Sequence, residues 1–87
     1  MLKIQKASNG QVTYILSGQI EEADIAELEA MVRSEAKGRR IVLDLKNLTL
    51  VGQDAIAFFD RCETNGITLM NCPAYIREWI KGRRGES

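Results

Sequence analysis

A nearly unbroken run of apolar residues in the middle of the chain is the feature that most restricts its fold. Residues 41–45 read Ile-Val-Leu-Asp-Leu, and a bend at Gly52-Gln53-Asp54 follows them shortly afterwards. Such a run is typical of an interior strand with parallel neighbours, because a strand open to water on one face alternates apolar and polar residues. Beyond the bend, apolar residues recur at three- and four-residue spacing up to Asn65-Gly66. Residues 40–66 therefore predict a central strand, a turn and an amphipathic helix.

The rest of the chain supplies three further strands and two further helices. Alternating apolar and polar residues predict strands at 2–7 and 11–17, joined by a hairpin turn at Asn9-Gly10. Helical periodicity predicts a first helix over 21–37, ended by Gly38, and a third helix from Pro73 to Gly82. A short strand is expected at 67–71. The apolar face expected for the third helix consists of Tyr75, Ile76, Trp79 and Ile80.

These elements predict an α/β fold with a four-stranded mixed sheet. The N-terminal hairpin is antiparallel, the later strands are parallel because right-handed helical crossovers connect them, and three helices cover one face. We expect residues 1–82 to form a single domain and residues 83–87 a flexible tail. The open face of the sheet is mostly polar, and its apolar exceptions are Ile15, Val42 and Met70. Side by side, these three would form a small exposed patch, although an open face also tolerates scattered apolar side chains.

Composition argues against several classes of function. The 87 residues carry 12 basic and 12 acidic side chains, so no overall charge attracts nucleic acid or an anionic membrane. The chain contains no histidine, which removes the usual general base, and its glycines form no phosphate-binding motif. Cys62 and Cys72 have no metal-ligand spacing, and neither a signal peptide nor a membrane segment is evident. We therefore expect a cytoplasmic protein with no catalytic residue, cofactor or metal.

The central strand and the helix after it resemble a known family. The stretch IVLDLKNLTLVGQDAIAFF is similar to the core of STAS domains, found in anti-sigma factor antagonists and in the cytoplasmic tails of sulfate transporters. In that family, a strand ending in Leu-Asp-Leu leads to an Asp-Ser-Ser-Gly turn that opens a helix. In this chain the turn reads Gly52-Gln53-Asp54-Ala55, and the resemblance extends in outline over residues 15–80.

The resemblance implies a protein-binding surface without its usual switch. Family members that antagonise anti-sigma factors are phosphorylated on a serine of this turn, and Gln53 occupies the expected serine position. Phosphorylation at the turn is therefore not expected. The predicted partner-binding residues are Gly52, Gln53, Asp54, Asp60 and Arg61. Asp54 either mimics the phosphate charge or simply caps the helix, and the capping interpretation is preferred.

Three functions remain open on this basis. The first is a non-enzymatic interaction module that binds an anti-sigma factor or related serine kinase. The second is a small STAS-like subunit of a lipid-transport ATPase complex, and the third is an enzyme or small-ligand carrier. A homodimer through the fourth strand's edge or the open face of the sheet is also expected. Two arginines, Arg83 and Arg84, give too few phosphate contacts to predict nucleic-acid binding.

Overall fold

A computed structural model describes residues 1–8, 10–35 and 38–85 of the chain and confirms the predicted fold class. In chain order the elements are β1 (Leu2–Ser8), β2 (Val12–Gln19), α1 (Glu22–Ser34), β3 (Ile41–Leu50), α2 (Gln53–Thr64), β4 (Thr68–Met70) and α3 (Ala74–Arg83). The sheet order is β1-β2-β3-β4, with β1 and β2 antiparallel and the other pairs parallel. Asn9, part of the predicted hairpin turn, lies outside the described residues.

The core lies between the sheet and the helices. Val12, Tyr14 and Leu16 of β2 are buried and alternate with half-buried residues, as expected for a strand that is covered on one face. Leu43 and Leu45 of β3 are completely buried, and each such side chain contributes roughly 1.5–3 kcal/mol through burial. The largest fully buried side chains are Tyr14, Phe59, Leu16, Leu28, Leu43, Leu45, Ile56, Ile76 and Ile80.

A β-bulge in β3 changes which residues reach the core. Ile15 pairs with Asp44 but Ser17 pairs with Asn47, so two residue steps on β2 span three on β3. The extra residue shifts the inward-facing positions from Leu45 to Leu48, and Leu48 is buried as a result. Strict alternation along β3 would have placed Leu48 on the opposite face.

Asp44 is buried, although it lies on the face of the sheet that the helices leave open. Only 3% of Asp44 is exposed, and its Oδ1 accepts hydrogen bonds from the Lys46 backbone N–H at 3.1 Å and the Asn71 side-chain amide at 3.2 Å. The first bond lies at the bulge, because Lys46 is one of the two residues between Asp44 and Asn47. Asp44 also lies between Ile15 and Met70 in the register. Val42 is buried, so the hypothetical patch of three adjacent apolar side chains is absent.

The ends of α1 and α3 differ from the predicted ones. α1 ends at Ser34, and Glu35 turns away with an extended backbone while its carboxylate accepts a 2.6 Å hydrogen bond from the Tyr14 hydroxyl. Ala36 and Lys37, which were expected to continue α1, lie outside the described residues. α3 continues through Gly82 to Arg83, and Arg84 caps it. The expected tail therefore begins as ordered helix, while Glu86 and Ser87 lie outside the described residues.

The predicted apolar face of α3 is only half correct. Ile76 and Ile80 are fully buried, but Tyr75 is 49% and Trp79 39% exposed. Arg77 faces α2, where its guanidinium binds Glu63 at 2.7 and 2.8 Å. At 3.6 residues per turn, this orientation leaves the two aromatic side chains on the flank of α3 that points away from α2.

Candidate functional site

The bend between β3 and α2 is exposed, as the predicted site requires. Gly52 is the N-cap of α2 with an extended backbone (φ −111°, ψ −175°), and its carbonyl accepts a 3.1 Å bond from the Ile56 N–H. Gly52, Gln53 and Asp54 are all exposed, whereas Val51 before them and Ala55 after them are buried. The buried neighbours fix the backbone, and the three residues between them are presented to solvent.

Asp54 does not cap α2, and that interpretation is wrong. Gly52 occupies the cap position, and no side chain makes a cap hydrogen bond there. Asp54 is instead the second residue of the helix, where its carboxylate interacts favourably with the helix dipole but remains exposed. Its charge is therefore available at the surface.

The structure adds two acidic residues, Glu21 and Glu22, to the candidate site. Because α1 follows β2 and α2 follows the neighbouring parallel strand β3, both helices begin at the same edge of the sheet. Glu21 and Glu22 at the start of α1 line a hollow of about 340 Å³ together with Gly52, Gln53 and Asp54. The predicted parallel pairing of these strands was the signal that could have identified this neighbourhood, since ligands commonly bind beyond the carboxyl ends of such strands.

The two other predicted partner-binding residues lie on different sides of α2. Arg61 is exposed and faces α1, where its guanidinium lies 3.5 Å from the Glu29 carboxylate. Asp60 faces α3 and binds Arg84 at 2.6 Å and Arg83 at 3.2 Å. These hydrogen bonds hold the pKa of Asp60 below its usual value. Asp60 is therefore occupied within the chain and does not belong to the same surface as Arg61.

A second acidic residue of α2, Glu63, also contributes to the contact between α2 and α3. Glu63 binds Arg77 at 2.7 Å and Arg84 at 3.2 Å. The pKa of Glu63 lies below its usual value, and the hydrogen bond from Arg77 is the largest cause. Local sequence patterns do not indicate these contacts, because Arg77 and Arg84 are 14 and 21 residues away from Glu63 along the chain. Only the packing of α3 against α2 brings them together.

Neither cysteine has the environment of a reactive thiol. Burial raises the pKa of Cys62 to about 12 and also raises that of Cys72. Since the thiolate is the nucleophile, both groups are held in their unreactive form near neutral pH. Among residues 1–8, 10–35 and 38–85, no cluster of three or more histidine, cysteine or acidic side chains could hold a metal ion.

Comparisons with known proteins give no family assignment. No protein-family model matches the chain, and no curated protein matches it significantly. Within the described part of the chain, no helix has the length and apolar character needed to cross a bilayer. The resemblance to STAS domains remains a prediction that depends on the residues of the central strand and the turn.

Proposed function

We propose that this chain is a non-enzymatic, STAS-like interaction module that binds a protein partner through Gly52, Gln53, Asp54 and Arg61. The observation that carries this proposal is the exposure of the bend at the edge of the sheet where both α1 and α2 begin. The partner class that the resemblance suggests is an anti-sigma factor or related serine kinase. Because Gln53 replaces the serine, association is not controlled by phosphorylation at that position.

The charge of the surface indicates what kind of partner fits it. Glu21, Glu22 and Asp54 line one hollow that contains no basic residue. A partner with lysine or arginine side chains opposite this hollow would be attracted to it, and such attraction mainly accelerates association and selects among partners.

The proposal places the protein in the cytoplasm, which its two unpaired cysteines support.

The experiment that tests the proposal is affinity capture from the native cell with matched surface variants. Asp54→Arg should reduce the recovery of the partner, with a larger effect at low salt, because it reverses a charge of the acidic hollow. Arg61→Glu should reduce the recovery of the same partner because it changes an exposed side chain of the proposed surface. Glu78→Arg is the control, since Glu78 is exposed on α3 and lies outside the surface. Circular dichroism should show that all three variants remain folded.

Recovery that is equal for all variants would refute the proposed surface. The identity of the captured protein decides between the two partner classes. An anti-sigma factor or serine kinase supports the first, whereas a lipid-transport ATPase whose activity depends on this chain supports the second.

A further inference from the structure

Three adjoining hollows follow the boundary between α1 and α2 from the exposed bend, and the Arg61–Glu29 ion pair lies between the second and the third. The hollow at the bend and a second hollow of about 320 Å³ share Glu22, Ile25 and Asp54. The second hollow and a third, of about 290 Å³, share Glu29 and Arg61. We call the three together the α1–α2 groove, which reaches from Gly52 to Asn65 and Ile67.

The α1–α2 groove has a mixed lining, in which apolar residues lie between charged ones. Ala26 of α1 and Ala57 of α2 both line its middle hollow, and their side chains are small. Farther along, the lining becomes more strongly apolar, with Val32, Phe58 and Ile67. A partner that enters this groove can therefore bury apolar side chains against these residues, above all at the far end of the groove.

The rim of the α1–α2 groove changes charge from one end to the other. Its first end, at the start of both helices, carries Glu21, Glu22 and Asp54. Arg61 and Glu29 form a pair midway, and Arg33 lies at the far end, in the last turn of α1. Because α1 and α2 both begin at the same edge of the sheet, the negative end also coincides with their N-termini.

We propose that the α1–α2 groove holds an amphipathic helix of the protein partner, antiparallel to α1 and α2. Such a helix has acidic residues in its first turn and basic residues in its last turn, as isolated helices prefer. Antiparallel docking places its basic end against Glu21, Glu22 and Asp54 and its acidic end near Arg33. This inference rests on the proposed function and specifies the partner's binding element.

The length of the groove determines how long a synthetic peptide must be to test this inference. α2 has 12 residues, which corresponds to about 18 Å or a little more than three turns. A 16-residue peptide with acetylated and amidated ends, a leucine stripe at helical spacing, glutamates in its first turn and lysines in its last turn matches the groove. The control peptide has the same composition with the glutamates and lysines exchanged, and both peptides carry a hydrocarbon staple so that their helicities are equal.

Fluorescence anisotropy with the labelled peptides tests the orientation directly. The matched peptide should bind at least tenfold more tightly than the exchanged one at low salt. Ala57→Gln should weaken the matched peptide about tenfold by obstructing the middle of the groove, and Arg33→Glu should reduce the preference between the peptides. Glu78→Gln, outside the groove, should change neither affinity. Equal affinities, no binding of either peptide, or indifference to Ala57→Gln would each overturn the inference.

Capture of the native partner separates this inference from the proposed function. If Asp54→Arg abolishes capture while Ala57→Gln and Arg33→Glu leave it unchanged, the surface at the bend is correct and the groove is not the binding element. If none of the three changes matters, both proposals fail. Loss of capture with all three variants, each shown to be folded, supports both.

Discussion

The contact between Tyr14 and Glu35 gives a prediction whose sign reverses with pH. Tyr14 is 1% exposed, and its hydroxyl donates a 2.6 Å hydrogen bond to Glu35 Oε1, which also binds Lys6 Nζ at 2.8 Å. Near neutral pH, Tyr14→Phe removes one hydrogen bond to a charged acceptor. We expect the unfolding free energy to fall by about 1–2 kcal/mol. This is near the lower end of the range for hydrogen bonds to charged groups, because Glu35 keeps its contact with Lys6.

Alkaline pH should reverse this difference. Burial, together with the hydrogen bond to Glu35 and the charge of Glu35, raises the pKa of Tyr14 from 10.0 to about 12. Below pH 10 the neutral Tyr14 phenol makes its full contribution to the unfolding free energy. This contribution is lost as the pH rises to about 12, because the phenol ionises at lower pH in the unfolded chain than in the folded protein. Two pKa units correspond to about 2.7 kcal/mol, a loss that the Phe variant cannot undergo. The variant should therefore become the more stable protein by roughly 1 kcal/mol near pH 12.

Urea unfolding followed by circular dichroism, at intervals from pH 7 to 12 with reductant and a stabilising osmolyte, measures this difference. The ionisation of Cys62 reduces stability in the same pH range, but it does so in both proteins and cancels in the comparison. A difference in unfolding free energy that stays constant from pH 8 to 12 would refute the argument that Tyr14 is held neutral by its surroundings.

Three further substitutions test separate features of the fold. Gly18→Ala should lower the unfolding free energy by at least about 1–2 kcal/mol in urea titrations, because Gly18 has φ +95° and an added Cβ would lie 2.6 Å from the Met1 carbonyl oxygen. Arg84→Ala should lower the melting temperature more at 20 mM than at 500 mM salt, because it removes contacts of Arg84 with Asp60 and Glu63; an equal loss at both concentrations would contradict an ionic role. Gly82→Ala should raise the melting temperature by a few degrees, since the added Cβ meets no atom within 4 Å in the helix; a decrease would show that α3 requires glycine there.

Local patterns in the sequence were sufficient to predict the architecture. The apolar run at residues 41–45, the alternation in the two N-terminal strands and the helical periodicities each reflect burial on one face of one element. The insertion of one residue in β3, the bulge that turns Leu48 toward the core, could not be predicted in this way. Alternation alone cannot reveal such an insertion, because the chain keeps its apolar residues while the backbone changes their direction.

The candidate site was predicted less completely because it depends on neighbours that are distant in the sequence. The exposed bend followed from Gly52 and the resemblance, but the arginines that occupy Asp60 lie 23 and 24 residues farther along the chain. Glu21 and Glu22 at the start of α1 were not among the predicted site residues. Their proximity to Asp54 required the strand order, which was predicted but not used for this purpose.

The two flanks of α2 have different evolutionary freedom as a consequence of this arrangement. The flank that carries Asp60 and Glu63 holds α3 in place through buried and ionic contacts, so changes there alter the protein's own integrity. Asp54 and Arg61 on the opposite side contribute little to that integrity. A lineage could therefore acquire a new binding specificity by exchanging these outward residues while its tolerance of heat stays unchanged.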